Sequence, residues 1–129
     1  MGRFALPSLG LLGLLLATGC STWANEPGQL DDAALAAYAA KSFDKQAMMG
    51  QTVELGRNRG VPVVAWFPCS DVCPQYTVRI IHYRVPEGSD CAAAGGVEKT
   101  VAVPVAIAVL PRTFCVPKVL VESGAYYTR

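Results

Sequence analysis

The sequence predicts a small α+β domain: one N-terminal helix packed on an antiparallel sheet of about four to five strands, pinned by two disulfides. Three observations carry that expectation. An alanine-rich segment at 32–49 repeats its apolar residues at helical intervals. Beyond residue 50 the chain changes to short β-branched runs separated by turn residues, and four of its five cysteines lie in that part. At 129 residues the chain has room for one domain.

The helix is expected from Asp32 to Met49. Asp31 or Asp32 can cap the first free N–H groups, and their charge suits the positive end of the helix dipole. The interior Ala33-Ala-Leu-Ala-Ala-Tyr-Ala-Ala has the highest helix propensity in the chain. Leu35, Tyr38, Ala39, Phe43 and Ala47 fall on one face, and Gly50 is a natural stop.

Four runs then read as strands. Val61 to Phe67 follows the turn-like Gly56-Arg-Asn-Arg-Gly60, with 51–55 as its hairpin partner. Tyr76 to Val85 is rich in Thr, Val, Ile and Tyr. Its alternation is mixed, with Arg79 and Ile81 sharing a face, and leaves the buried side open. Val101 to Leu110 reads as a single strand. Val101, Val103, Val105, Ile107 and Val109 line a bulky face; Ala102, Pro104, Ala106 and Ala108 line a smooth one on which an alanine-rich helix could lie. Pro104 lacks an N–H, which makes this an edge strand or a bulged one. Val116 to Glu122 is expected as the last strand. Between them, Ser89-Asp90 ahead of Cys-Ala-Ala-Ala and Gly95-Gly96 reads as one capped helical turn.

At the start of the chain Arg3 precedes an apolar run from Phe4 to Ala17, which ends in Thr18-Gly19-Cys20. Roughly 20 apolar residues are needed to span a bilayer, and this run is shorter. Its layout is that of a secretory signal. Ala17, Thr18, Gly19 and Cys20 resemble the lipobox of bacterial lipoproteins. That resemblance implies a signal peptide at 1–19, a diacylglycerol on the thiol of Cys20, a lipidated tether at 20–30 and a folded domain at 31–129. It also implies a membrane partner through the anchor, at the periplasmic face of a bacterial membrane. Ser21 after the lipidated cysteine resembles lipoproteins sent to the outer membrane rather than kept at the inner one.

Without Arg3 the basic residues number ten, matching ten acidic ones. No basic patch points to nucleic acid. With Cys20 acylated, Cys69, Cys73, Cys91 and Cys115 form an even set in an exported domain, which reads as a disulfide framework. Three connectivities are open; pairing of neighbours, Cys69–Cys73 and Cys91–Cys115, is favoured. The second bond would close a loop that the chain-entropy account values at about 3 to 5 kcal/mol.

Phe67-Pro-Cys69-Ser-Asp-Val-Cys73-Pro74, with His82 downstream, resembles the CxxxCP motif of Sco-type copper chaperones, whose Asp-Val-Cys-Pro string is matched by Asp71 to Pro74. The resemblance implies Cu(I) handling or thiol redox chemistry through Cys69, Cys73 and His82, a soft donor set. The family follows its motif with a helix, whereas a strand is expected here, and a strand offers no helix N-terminus to activate a thiol. A structural disulfide is therefore the preferred reading. Trp66, Phe67, Tyr76 and Tyr83 could line a ligand groove, although aromatic residues beside strands usually build core. No Gly-x-Ser-x-Gly elbow, His-Glu-x-x-His pair, phosphate loop or dinucleotide fingerprint occurs. The function expected is that of a non-enzymatic envelope lipoprotein without cofactor, a structural or interaction module whose envelope partner the sequence does not name. The alternative is a periplasmic thiol-redox or Cu(I)-handling protein.

Overall fold

The structure, a computed structural model, describes residues 28–68, 77–86, 88–105 and 108–129. Helix α1 (Asp32–Ala39) starts where expected, with the Asp31 carboxylate accepting from the Ala34 N–H at 2.8 Å. It ends ten residues short of Met49. A second helix, α2 (Lys45–Met48), follows a break. Asp44 accounts for the break: its carboxylate accepts from the N–H groups of Gln46 and Ala47, so it caps a new helix instead of continuing the old one. The break also brings Phe43 edge-on to Phe67, with ring centroids 5.1 Å apart. Leu35 and Ala39 are buried and Tyr38 and Phe43 are half-buried, whereas Ala47 is exposed.

Six strands follow: β1 (Thr52–Asn58), β2 (Val61–Trp66), β3 (Arg79–Tyr83), β4 (Gly96–Val105), β5 (Ala108–Pro117) and β6 (Tyr127–Thr128). They form two antiparallel sheets, one ordered β1-β2-β3-β6 and one consisting of the β4–β5 hairpin alone. The fold is thus mixed α+β with small antiparallel sheets, but its strands divide between two layers. The β1–β2 hairpin is the expected one. Asn58 pairs with Val61 across Arg59 and Gly60, whose φ values of 55° and 81° suit a type I′ turn and the twist of the flanking strands.

Both faces of the four-stranded sheet are covered, which explains the absence of a clean alternation in β3. Val63, Ala65, Ile81 and Tyr83 share one core cluster with Leu35, Ala39 and Leu120. On the opposite face, Trp66 and Ile80 meet Val101, Val103, Val105 and Phe114 of the hairpin. A strand buried on both sides carries apolar residues at consecutive positions.

Three polar side chains are buried among the described residues, Asn58, Thr77 and Arg79, and two of them tie distant elements together. Asn58, 1% exposed, donates to the Leu30 carbonyl at 2.8 Å and to Asp32 at 3.1 Å and accepts from the Tyr83 hydroxyl. It ties the segment before α1, the start of α1, β1 and β3 into one network. Arg79, also 1% exposed, donates to the Ala39 carbonyl at 2.7 Å, satisfying an acceptor at the end of α1. Its guanidinium lies over the rings of Tyr38 and Phe43 at 5.1 and 5.3 Å.

Two strand expectations are corrected. Val101 to Leu110 is not one strand, because Val105 pairs with Ala108 and the chain reverses between them. The register pairs residues summing to a constant position, so Val109 lies opposite Pro104, on the other face from Val103. Val116 to Glu122 is not a strand either. β5 ends at Pro117, and Lys118–Leu120 form a single 3-10 turn that buries Leu120. The expected capped turn after Ser89 is present: Asp90 accepts from the Ala92 N–H at 2.9 Å, and the Gly96 N–H donates to the Cys91 carbonyl.

Candidate functional site

The outer half of the β4–β5 hairpin contributes little to the core: of residues 100–105 and 108–112 only Val103 is buried. From Thr100 to Pro111 neither strand carries a charged residue. The inner face holds Val101, Val103, Val105, Leu110 and Phe114, of which Val103 is fully buried. The outer face presents Ala102, Pro104, Val109 and Pro111. Val109 is 64% exposed, and Leu110, beside it at the rim, is 49% exposed. Adjacent apolar side chains left in water across two strands make a patch, which signifies more than one exposed valine.

The two prolines have a specific placement. Pro104 pairs with Val109 and Pro111 with Ala102, two register steps apart, so both belong to the same class of pair. Thr100 and Thr113 form the next pair of that class, and their hydroxyls lie 2.7 Å apart, as the closer approach in non-hydrogen-bonded pairs allows. A proline in such a pair forfeits no ladder bond. It removes instead an N–H that would point away from the hairpin, one on each edge.

Below the patch the chemistry changes. Arg112, opposite Val101, comes first on the inner face, then the Thr100–Thr113 pair on the outer face, then Lys99 on the inner face and Glu98 on the outer. Arg112 is exposed and lies over Trp66 and Phe114, 5.3 and 5.8 Å from their ring centroids. Neither Arg112 nor Lys99 is in an ion pair with another described residue. Trp66 and Phe114 are themselves 5.9 Å apart, which seats the arginine on a continuous aromatic platform.

His82 lies on β3, on the face toward the hairpin, with its ring centroid 4.9 Å from that of Phe114. Its Nδ1 is 3.1 Å from the Tyr83 carbonyl, and a carbonyl only accepts, so Nδ1 carries the proton. Burial pushes its pKa below the ordinary histidine value, and the charges of Arg84 and Arg112 act in the same direction against the hydrogen bond to Tyr83. A cation at this imidazole would meet those two positive charges.

Of the cysteines, Cys91 and Cys115 form a disulfide with Cα atoms 5.6 Å apart, as the sequence led one to expect. Cys20, Cys69 and Cys73 lie outside the described residues. No group of three His, Cys, Asp or Glu side chains able to hold a metal occurs among the described residues. Of the aromatic residues named as groove candidates, Phe67 and Tyr83 are core, Trp66 is half-buried under Arg112, and Tyr76 lies outside the described residues.

No protein family, no curated protein and no solved structure matches this chain. Its own residues are the basis of any functional reading. Among the described residues no helix is long and apolar enough to cross a membrane. The exposed patch escaped the sequence reading because a single strand from Val101 to Leu110 places Val109 beside Val103. The signal for it was the uncharged stretch from Thr100 to Pro111, which contains Pro104 and ends on Pro111.

Proposed function

We propose that this protein is a non-enzymatic envelope lipoprotein, lipidated at Cys20 and carrying its α+β domain at the periplasmic face of a bacterial membrane, by preference the outer one. The domain acts as an interaction module and the hairpin as its contact surface. The observation that carries this reading is the outer face of β4–β5 beyond the Thr100–Thr113 pair, where exposed Ala102, Val109 and Pro111 and half-buried Pro104 form one uncharged apolar patch. The leader supports the anchor, since Ala17 to Cys20 has the lipobox layout. A second disulfide, Cys69–Cys73, belongs to the same proposal and suits an oxidising compartment.

The test is detergent phase partitioning of the full chain expressed in a bacterial host. The parent should enter the detergent phase, and Cys20→Ser should move to the aqueous phase or accumulate as uncleaved precursor. A Cys20→Ser chain that is processed normally and still partitions with membranes would refute the lipoprotein reading.

A further inference from the structure

We infer that the outer end of the β4–β5 hairpin docks on a lipid surface, with Ala102, Pro104, Val109, Leu110 and Pro111 entering the headgroup boundary and Lys99 and Arg112 facing anionic phosphates. This inference rests on the lipoprotein reading for the nearness of the bilayer, and on the hairpin itself for the contact.

Three observations select this occupant. The first concerns strands. Pro104 and Pro111 remove outward N–H donors from the two edges of the hairpin, so a strand added to either edge would find a donor missing. The same deletions ease contact with lipid, where an unpaired N–H has nothing to bond. The second concerns area. Five side chains of this size expose on the order of 300–400 Å², well short of the roughly 800 Å² that each partner buries in a stable complex. A second copy of the chain is thus a poor occupant. A surface to which the chain is already tied needs no such area, because tethering makes the contact intramolecular. From Cys20 to Gly28 the chain can extend at most about 29 Å, comparable to the hairpin's own length of roughly 30 Å.

The third observation is the order of chemistry along the hairpin. An uncharged apolar end is followed within three register steps by Arg112, seated on Trp66, by the hydroxyls of Thr100 and Thr113, and by Lys99. The two cations lie on the inner face and outside any ion pair with another described residue. That change from an apolar end to a polar, cationic zone follows the polarity of a membrane boundary, where acyl chains give way to headgroups.

The experiment places a reporter at the patch. Val109→Trp and, lower on the same face, Thr113→Trp are introduced separately into the full lipidated chain; both positions are exposed. The proteins are reconstituted in vesicles of phosphatidylethanolamine and phosphatidylglycerol with brominated acyl chains. The Val109→Trp increment of fluorescence should lose roughly half or more of its intensity, as burial at the acyl boundary requires, and the Thr113→Trp increment much less. Adding Arg112→Gln should weaken the quenching, and replacing phosphatidylglycerol with phosphatidylcholine should do the same.

Equal and weak quenching at both positions, in a chain that stays vesicle-bound, would overturn the docking while leaving the anchor intact. Concentration-dependent dimerisation abolished by Val109→Asp, without quenching, would assign the face to a second copy and also overturn it. If Cys20→Ser partitions like the parent while Val109→Trp is still quenched, the anchor reading fails and the docking stands.

Discussion

A Cβ on residue 96 would lie 2.6 Å from the Cys115 sulfur and 3.0 Å from that of Cys91, so Gly96 and Cys115 compete for the same space. The Val116 carbonyl closes the third side at 3.0 Å. Gly96 opens β4 and pairs with Pro117, which makes it part of the hairpin's attachment to the core as well as the seat of the disulfide.

Gly96→Ala should therefore destabilise the domain by about 1–3 kcal/mol, the usual cost of forcing extra volume into packed surroundings. Thermal unfolding without reductant measures it. In a Cys91→Ser, Cys115→Ser background the same substitution should cost less, since the sulfurs are gone and the hydroxyls are smaller. Equal costs in both backgrounds would locate the crowding at the Val116 carbonyl instead.

The sequence made local features legible where one residue type has one dominant physical role. Asp31 caps α1, the β1–β2 hairpin forms around Gly60, and Cys91 bonds Cys115, all as residue chemistry suggests. What could not be read depended on partners distant in sequence. The reversal between Val105 and Ala108 lacks the Asn-Gly or Asp-Gly signal of a tight hairpin, so periodicity alone ran the strand through it. The break after Ala39 was hidden by the helix propensity of the flanking residues, although Asp44 held the capping signal. Arg79 is unreadable from its neighbours, because its acceptor lies forty residues away in α1. Of the candidate site, His82 was visible as a residue but not its place between Phe114 and two arginines.

That place gives His82 a pH dependence of defined sign. Its pKa in the folded protein is lowered, chiefly by burial, so the unfolded chain binds the proton more readily. The contribution to stability is present above the unfolded-state value of about 6.5 and is lost as pH falls through the lower folded-state value. His82→Gln should flatten the stability profile on the acid side of neutrality in denaturant titrations. Arg112→Gln should raise the His82 pKa in an NMR titration, because it removes one of the two nearby positive charges. A His82 pKa at or above the ordinary value would contradict the burial seen against Phe114.

The prolines of the hairpin give the last prediction. Pro104 and Pro111 sit in pairs of the class that makes no ladder hydrogen bond, so replacing them with threonine should leave the β4–β5 register intact. Each replacement restores an N–H that points outward along an uncharged edge, exposed at Pro111 and half-buried at Pro104. Such an edge recruits further strands. The double substitution Pro104→Thr, Pro111→Thr should therefore leave the secondary structure of the monomer unchanged while promoting concentration-dependent association. Sedimentation velocity and thioflavin binding over a concentration series would detect it. Val109→Lys added to the same chain should suppress the association by charging the outer face without altering the edges. If the double variant stays monomeric throughout, the prolines are not what keeps the hairpin from pairing, and the exclusion of a strand partner fails with them.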